Sequence, residues 1–177
     1  MTEGINKVAL KGKILSIYNS NGGIAIAKID VGNSKPDVVF TKEFAQNFIG
    51  EYKPGDWIFI EGNIQSSYSS ERGIRISIIV DRILPISCSR AKYVNYFDIY
   101  GTVKNVIRFG EMHKVNVNVV SNGYASVIPL TFLNPLDHRL NAETGEPLRC
   151  QGIVHTSQKQ SGDKTKYFQN YVADGVF

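Results

Sequence analysis

The sequence has little of several features that mark particular classes of protein. Its 177 residues include two cysteines, Cys88 and Cys150, which lie too far apart to form a ligand-like pair. We expect both thiols to be buried and reduced. There is no run of about 18 apolar residues to cross a membrane. The first residues also lack the charged and apolar regions of a signal peptide. These absences favour a cytoplasmic protein.

Signals of catalysis and of metal binding are also scarce. His113, His138 and His155 are scattered, without a second ligand at a metal-like spacing. There is no glycine-rich phosphate loop with its lysine and no Gly-x-Ser-x-Gly nucleophile motif. Carboxylates are spread singly and do not form a two-metal cluster. We therefore expect a protein that is not an enzyme and that needs neither a metal nor another cofactor.

Charge of one sign is in small excess. The chain has 20 basic and 16 acidic residues, so its formal net charge is +4. An apolar content of 42% and a charged content of 20% are typical of a globular protein. The charge permits a polyanionic partner such as nucleic acid but does not require one.

Alternating apolar residues predict a succession of strands in the first half of the chain. The expected strands span residues 5–18, 24–31, 37–41, 57–64 and 74–80. A helix is expected over residues 42–52, because Phe44, Phe48 and Ile49 recur at helical spacing. Five strands with a helix between the third and the fourth is the order of the oligonucleotide-binding (OB) barrel.

The strand that follows the Pro-Gly-Asp turn at residues 54–56 has an unusual polar face. Trp57, Phe59 and Glu61 lie on this face, and Gly62 lies on the opposite, apolar face. A glycine at such a position often marks a bulge or a sharp bend, as at a barrel corner. Two large aromatic side chains on a polar face indicate that a partner, a bent strand or a stacked base covers them.

The same pattern recurs in the second half of the chain. Strands are expected over residues 96–109, 114–119, 125–132, 148–155 and 166–173. Residues 134–141 are expected to form one or two helical turns, and residues 66–73 and 157–164 are expected to be polar loops. Two repeats of similar length predict a mainly β fold of two tandem five-stranded OB-fold barrels. The barrels would span residues 1–86 and 95–177 with a linker at 87–94, and the helix is clear only in the first.

The first repeat resembles the bacterial single-stranded DNA-binding proteins in the order and spacing of its segments. The similar segments are residues 5–14 (opening strand), 38–40 (third strand), 44–45 (helix), 52–56 (turn) and 57–64 (fourth strand). The resemblance covers about residues 5–80, and the second half is similar only at the level of the fold. The doubled barrel resembles versions of the family in some bacteria, and we expect an origin in a phage or another mobile element.

The chain departs from this family at identifiable positions. Lys35 and Thr41 stand near positions where the family has stacking aromatic residues, while Tyr68 lies close to another such position. Members of the family usually end in an acidic tail that recruits replication proteins, and residues 173–177 (ADGVF) do not resemble it. The resemblance therefore implies nucleic-acid binding more directly than it implies recruitment of proteins.

Binding of single-stranded nucleic acid requires cations that follow the phosphates and flat rings that accept unstacked bases. The predicted binding residues supply both: Lys11, Lys13, Lys28, Trp57, Phe59, Tyr68, Arg72, Arg75, Tyr100, Lys104, Arg108, Lys114, Lys159, Lys166 and Tyr167. Each has a structural alternative. Trp57 and Phe59 would also suit packing between barrels or under a bent strand, and each lysine or arginine would equally suit a solvated surface.

The predicted function is sequence-tolerant binding of single-stranded DNA in replication or recombination. RNA is a further ligand to consider, because the barrel alone does not separate the two nucleic acids. The alternative function is a protein-interaction module of a replication, recombination or conjugation complex, with weak or no nucleic-acid binding. The family usually joins four barrels, so a homodimer of this chain would suffice; if the two barrels pack on each other, the chain would be a monomer.

Overall fold

The computed structural model describes residues 3–20, 22–70, 73–84, 86, 92–133, 142–161 and 164–177. The N-terminal half comprises β1 (Ile5–Ser20), β2 (Ile24–Asp30), β3 (Asp37–Thr41), α1 (Glu43–Glu51), β4 (Trp57–Ser69) and β5 (Gly73–Leu84). The C-terminal half comprises β6 (Val94–Phe109), β7 (Met112–Ser121), β8 (Tyr124–Leu133), β9 (Pro147–Ser161) and β10 (Lys164–Val176). The prediction of a mainly β fold with a helix between the third and fourth strands is confirmed.

Two parts of the sequence prediction fall on residues that are not described. The helical turns expected at residues 134–141 lie outside the described residues, as do residues 87–91 of the expected linker. The division of the chain into domains at residues 87–94 stays a prediction. Among the described residues, no helix has the length and apolar character that crossing a membrane requires.

The strands of each half pair in a closed circle. In the N-terminal half, β1 pairs antiparallel with β2 and β4, β4 with β5, and β2 with β3, while a parallel pairing of β3 with β5 completes the circle. In the C-terminal half, β6, β7, β8, β9 and β10 pair in the same order, with β8 and β10 parallel. The two halves therefore share one topology.

β1 and β6 join the halves into one continuous sheet. They pair antiparallel from Ile5 opposite Tyr100 to Lys11 opposite Val94. Val8 lies opposite Phe97 in this ladder, and both side chains are fully buried. Opposed residues of an antiparallel pair point to the same side of the sheet. The buried side chains of the two halves therefore meet in one hydrophobic cluster.

Four glycines allow the strands to bend and close each circle. A Cβ atom at Gly12 would collide with the carbonyl oxygen of Asp30, and one at Gly101 with that of Asn118. The second pair behaves alike: a Cβ at Gly62 would collide with the carbonyl oxygen of Ile79, and one at Gly152 with that of Val172. Such close backbone approach is typical of glycines at barrel bends.

Two long hairpins replace loops that the sequence predicts. Residues 66–73 and 157–164 were expected to be polar loops, but β4 extends to Ser69, β9 extends to Ser161, and the pairing resumes at Gly73 and Lys164. Toward the tip of a projecting two-stranded ribbon, both faces contact solvent. Its residues therefore need not alternate between apolar and polar, and the period-2 signal is lost.

Two asparagines hold the hairpins where they leave the sheet. The Asn6 side chain donates to the Ile64 carbonyl oxygen and accepts from the Ile64 amide, both at 2.8 Å. The Asn95 side chain makes the same pair of bonds with Val154, at 2.8 and 2.9 Å. Each side-chain amide thus takes the place of a neighbouring strand and satisfies a backbone that would otherwise be buried without partners.

Candidate nucleic-acid interface

The outer surface of the first three strands carries an apolar row. Tyr18 on β1 lies opposite Ile26 on β2, which lies opposite Val39 on β3. The alternate residues Ala25, Ala27 and Val38 fill the core, so this row points outward, and the Tyr18 side chain is 65% exposed. We call the row Tyr18–Ile26–Val39 the outer β1–β3 face.

Tyr18 was not among the predicted binding residues. It falls at the end of the first strand next to an Asn-Ser-Asn-Gly-Gly turn, so the sequence marked it as part of a hairpin end. Ser16 and Tyr18 occupy alternate positions of β1 and both point outward, and this alternation would have identified Tyr18 as a surface residue. A one-residue bulge between Ile14 and Ser16 shifts that alternation out of step with the start of the strand.

The equivalent surface of the C-terminal half is more polar. Ile107 on β6 lies opposite Lys114 on β7, which lies opposite Thr131 on β8. The predicted residue Lys114 therefore lies on this outer surface, and Lys104 is exposed at the β6 bulge. Arg108 lies opposite His113 and so points to the other side of the β6–β7 ribbon.

The β4–β5 hairpin presents an exposed aromatic side chain near its tip. Tyr68, which the sequence predicted, is 78% exposed and lies opposite Ile74. Arg75 lies opposite Ser67, so it points to the other face of the ribbon from Tyr68. Arg72 lies outside the described residues.

The β9–β10 hairpin brings predicted residues from both halves together. Lys159 lies opposite Lys166 on one face of the ribbon, and Tyr167 lies on the other face. The Tyr167 ring is 60% exposed, and the Lys28 ammonium of the N-terminal half lies 5.3 Å from its centroid. Lys28 also forms an ion pair with Asp37 at 2.8 Å. The sequence predicted Lys28 and Tyr167 separately, and the fold places them side by side.

The residues predicted around Trp57 form a separate group on β1 and β4. Lys13 lies opposite Trp57, and Lys11 lies opposite Phe59. The Trp57 ring is half-buried, with its centroid 5.1 Å from that of Tyr93 and 5.9 Å from the Lys13 ammonium. Contact with Tyr93, which immediately precedes β6, favours the packing interpretation for Trp57 over a role as a free stacking platform.

Tyr100, the remaining predicted residue, lies in the middle of the continuous sheet. It is opposite Ile5 of β1 and Arg149 of β9. Next to it, Arg149 forms an ion pair with the buried Asp98 at 2.9 Å. Burial and the negative charge of Asp98 raise the pKa of Tyr96, so this phenol stays neutral at ordinary pH.

Two further ionisable groups are buried in the C-terminal half. Burial, and then the negative charge of Asp98, raises the pKa of the Cys150 thiol to about 12. Burial also raises the pKa of the Tyr171 phenol to about 12. Both groups are therefore protonated near neutral pH and serve as core side chains. Within the described residues, no group of three or more His, Cys, Asp or Glu is arranged to hold a metal ion.

Each long hairpin reaches across to the third strand of the other half. The Ser66 hydroxyl on β4 accepts from the Val127 amide on β8 at 2.9 Å. The Thr156 hydroxyl on β9 accepts from the Lys35 amide, just before β3, at 3.0 Å. The hairpins are thereby held beside the outer surfaces that they flank.

Comparison with known proteins agrees with this architecture. Residues 8–86 match a family model described as the OB-fold nucleic acid binding domain of the tRNA anti-codon type. The search of curated proteins found no match. A crystal structure of a deletion mutant of the single-stranded DNA binding protein from Thermus aquaticus is similar at a TM-score of 0.73 and 15% identity, covering 100% of this chain and 95% of that one. The wild-type Thermus aquaticus protein is similar at a TM-score of 0.71 and 15% identity, covering 99% and 93%. The chain therefore has an OB fold, and its whole length follows the architecture of that protein.

Proposed function

We propose that this protein is a non-catalytic, sequence-tolerant binder of single-stranded DNA. The observation that carries the proposal is the exposure of Tyr18 and Tyr68. In OB folds, oligonucleotides bind to the face of the second and third strands and to the loops between strands 1 and 2 and between strands 4 and 5. Tyr18 lies on the outer β1–β3 face and Tyr68 on the β4–β5 hairpin, so both exposed rings occupy those regions.

Two general features support the same proposal. The family model matched by residues 8–86 is one of nucleic-acid binding, and the similar solved structures are of a single-stranded DNA binding protein.

In the binding of single-stranded DNA, each stacked base contributes roughly 1–3 kcal/mol and any base can stack. Cations such as Arg75 and Lys114 would contact phosphates, so the affinity should fall as the salt concentration rises.

The biological setting is part of the proposal. A protein that coats exposed strands would serve replication or recombination, where DNA is transiently single-stranded. We place it in the cytoplasm of a bacterium, in keeping with a phage or another mobile element as its source.

The first experiment measures the anisotropy of a labelled poly-thymidine oligonucleotide as protein is added. We expect tight binding at low salt, weaker binding at high salt, and little competition from a matched duplex. Tyr18→Ala and Tyr68→Ala should each weaken binding by roughly tenfold, since each removes one stacking platform. Tyr124→Ala is the matched control, because Tyr124 is 69% exposed but sits at the β7–β8 turn.

Three outcomes would contradict the proposal. One is the absence of binding at low salt, and another is equal binding of duplex and single strand. The third is equal affinity of the Tyr18, Tyr68 and Tyr124 variants. A parallel titration with an RNA of the same length tests which nucleic acid is preferred.

A protein-interaction module in a replication, recombination or conjugation complex is the second candidate function. The pairing of cations with carboxylates favours it: Arg82 with Glu61 and Arg149 with Asp98. These cations are less available to phosphates than free ones. A stable, stoichiometric protein partner together with no oligonucleotide binding would establish this function in place of the first.

A further inference from the structure

The β9–β10 hairpin is fixed against the N-terminal half by hydrogen bonds that its side chains form. The Lys35 amide donates to the Thr156 hydroxyl and the Asp37 amide donates to Gln169 Oε1, both at 3.0 Å. The buried Ser34 hydroxyl lies 3.2 Å from the Thr156 hydroxyl. Because these bonds involve the start of β3, the hairpin stands at a set position beside the first three strands.

An open cleft remains between the hairpin and these strands. Its volume is about 320 Å³, which lies within the range of small-ligand sites. Both halves line this inter-half cleft, with Leu15, Lys28, Lys35 and Asp37 from one and Thr156 and Tyr167 from the other.

The chemistry of the cleft suits a nucleotide. The exposed surfaces of Tyr167 and Leu15 offer an apolar contact for a flat base. Lys28 and Lys35 supply two cations against the single carboxylate of Asp37. The ammonium of Lys28 has three donors, so it can face the Tyr167 ring and bond Asp37 while still offering a proton to a phosphate oxygen.

We propose that the inter-half cleft is a nucleotide subsite of the single-stranded nucleic acid interface, shared by both halves. One base stacks on the face of the Tyr167 ring that Lys28 does not cover, and Lys28 and Lys35 contact the phosphates on either side of that base. This inference rests on the proposed function and adds to it the path that the bound strand follows. The bound strand leaves the outer β1–β3 face and passes under the β9–β10 hairpin, so one stretch of strand contacts both halves at once.

The test combines crosslinking with affinity. A poly-thymidine oligonucleotide that contains 5-iodouridine is irradiated with the full wild-type protein, and the crosslinked residue is identified by mass spectrometry. We expect a crosslink at Tyr167. In the anisotropy assay, Tyr167→Ala should bind roughly tenfold more weakly, and Tyr167→Phe should retain wild-type affinity because it keeps the ring. Lys35→Gln should weaken binding and reduce its salt dependence, whereas Tyr124→Ala and Lys53→Gln serve as surface controls.

The outcomes separate this inference from the proposed function. If the wild-type protein binds the oligonucleotide but Tyr167→Ala matches Tyr124→Ala and no crosslink forms at Tyr167, the shared subsite is wrong and single-strand binding stands. If the wild-type protein binds no oligonucleotide, both proposals fall. Because Tyr167 is largely exposed, Tyr167→Ala should fold normally, and the crosslink on the unaltered protein gives a reading that does not depend on any variant.

Discussion

Among single residues, Gly62 is one of the positions where the fold has no room for a side chain. A Cβ atom there would meet the carbonyl oxygen of Ile79, which is backbone and cannot rotate away. We expect Gly62→Ala to lower the free energy of unfolding by about 1–3 kcal/mol, as overpacked positions do. Chemical denaturation of the two proteins measures the difference.

Gly50→Ala is the matched control for this substitution. Gly50 lies in α1, and a Cβ atom there would have nothing within 4 Å. Alanine favours a helix over glycine by roughly 0.5–1 kcal/mol, so this variant should be slightly more stable than the wild type. Equal stability of the Gly62 and Gly50 variants would show that the strand does not bend tightly at Gly62.

The sequence allowed some of these residues to be interpreted correctly and others not. Gly62 and Gly152 stand on apolar faces of strands, and this local pattern predicts a bend without knowledge of the fold. The contact of Trp57 with Tyr93 has no local signal, because their proximity depends on the pairing of β4 with β1 and of β1 with β6. The same holds for Lys28 and Tyr167, which meet only after the β9–β10 hairpin crosses to the other half.

At the scale of secondary-structure elements, Asn6 and Asn95 secure the two long hairpins. Asn6→Ala would leave the Ile64 amide and carbonyl without these partners, and Asn95→Ala would do the same to Val154. Each buried group left unsatisfied costs about 1–3 kcal/mol. We expect each variant to be destabilised by at least this amount, and faster hydrogen exchange of the Ile64 or Val154 amide would localise the effect.

Asn47→Ala provides the control for the asparagine variants. Asn47 is exposed on α1, where alanine is the better helix former, so its replacement should not reduce stability. Unchanged exchange at Ile64 in Asn6→Ala would contradict the role assigned to the side-chain amide.

Strands and helix were predictable where the chain has one buried and one exposed face. Val8, Leu10 and Ile14 are buried and alternate with Lys7, Lys11 and Lys13 because only one side of β1 faces the core. Phe44 and Phe48 repeat at helical spacing for the same reason. The tips of the hairpins have no such asymmetry. Their strand structure follows from pairing and from the Ser66 and Thr156 contacts with the other half, which a local pattern does not contain.

At the scale of the whole molecule, the continuous hydrophobic cluster predicts that both halves unfold together. The cluster includes side chains from β1–β5 and β6–β10, and the β1–β6 ladder crosses it. We expect one cooperative transition in denaturant, reported equally by Trp57 fluorescence in the N-terminal half and by pulse labelling of the buried Cys150 thiol in the C-terminal half. Labelling is done in a Cys88→Ser background so that one thiol is observed.

Separate midpoints for the two probes would contradict this expectation. They would instead favour the division into independent domains at residues 87–94 that the sequence suggests. The repeat in the sequence predicted two similar halves. It does not show whether the two halves share one core, because that depends on the pairing of β1 with β6.

The β1–β6 ladder also has a consequence for how the halves stay together. If each half were a separate chain, the ladder would be a subunit interface, and the two chains would dissociate on dilution by mass action. Within one chain, each half meets the other at a fixed effective concentration that does not fall as the protein becomes scarce. A symmetric dimer must also keep its interface self-complementary, whereas here β1 and β6 have different sequences and each is free to change to suit the other.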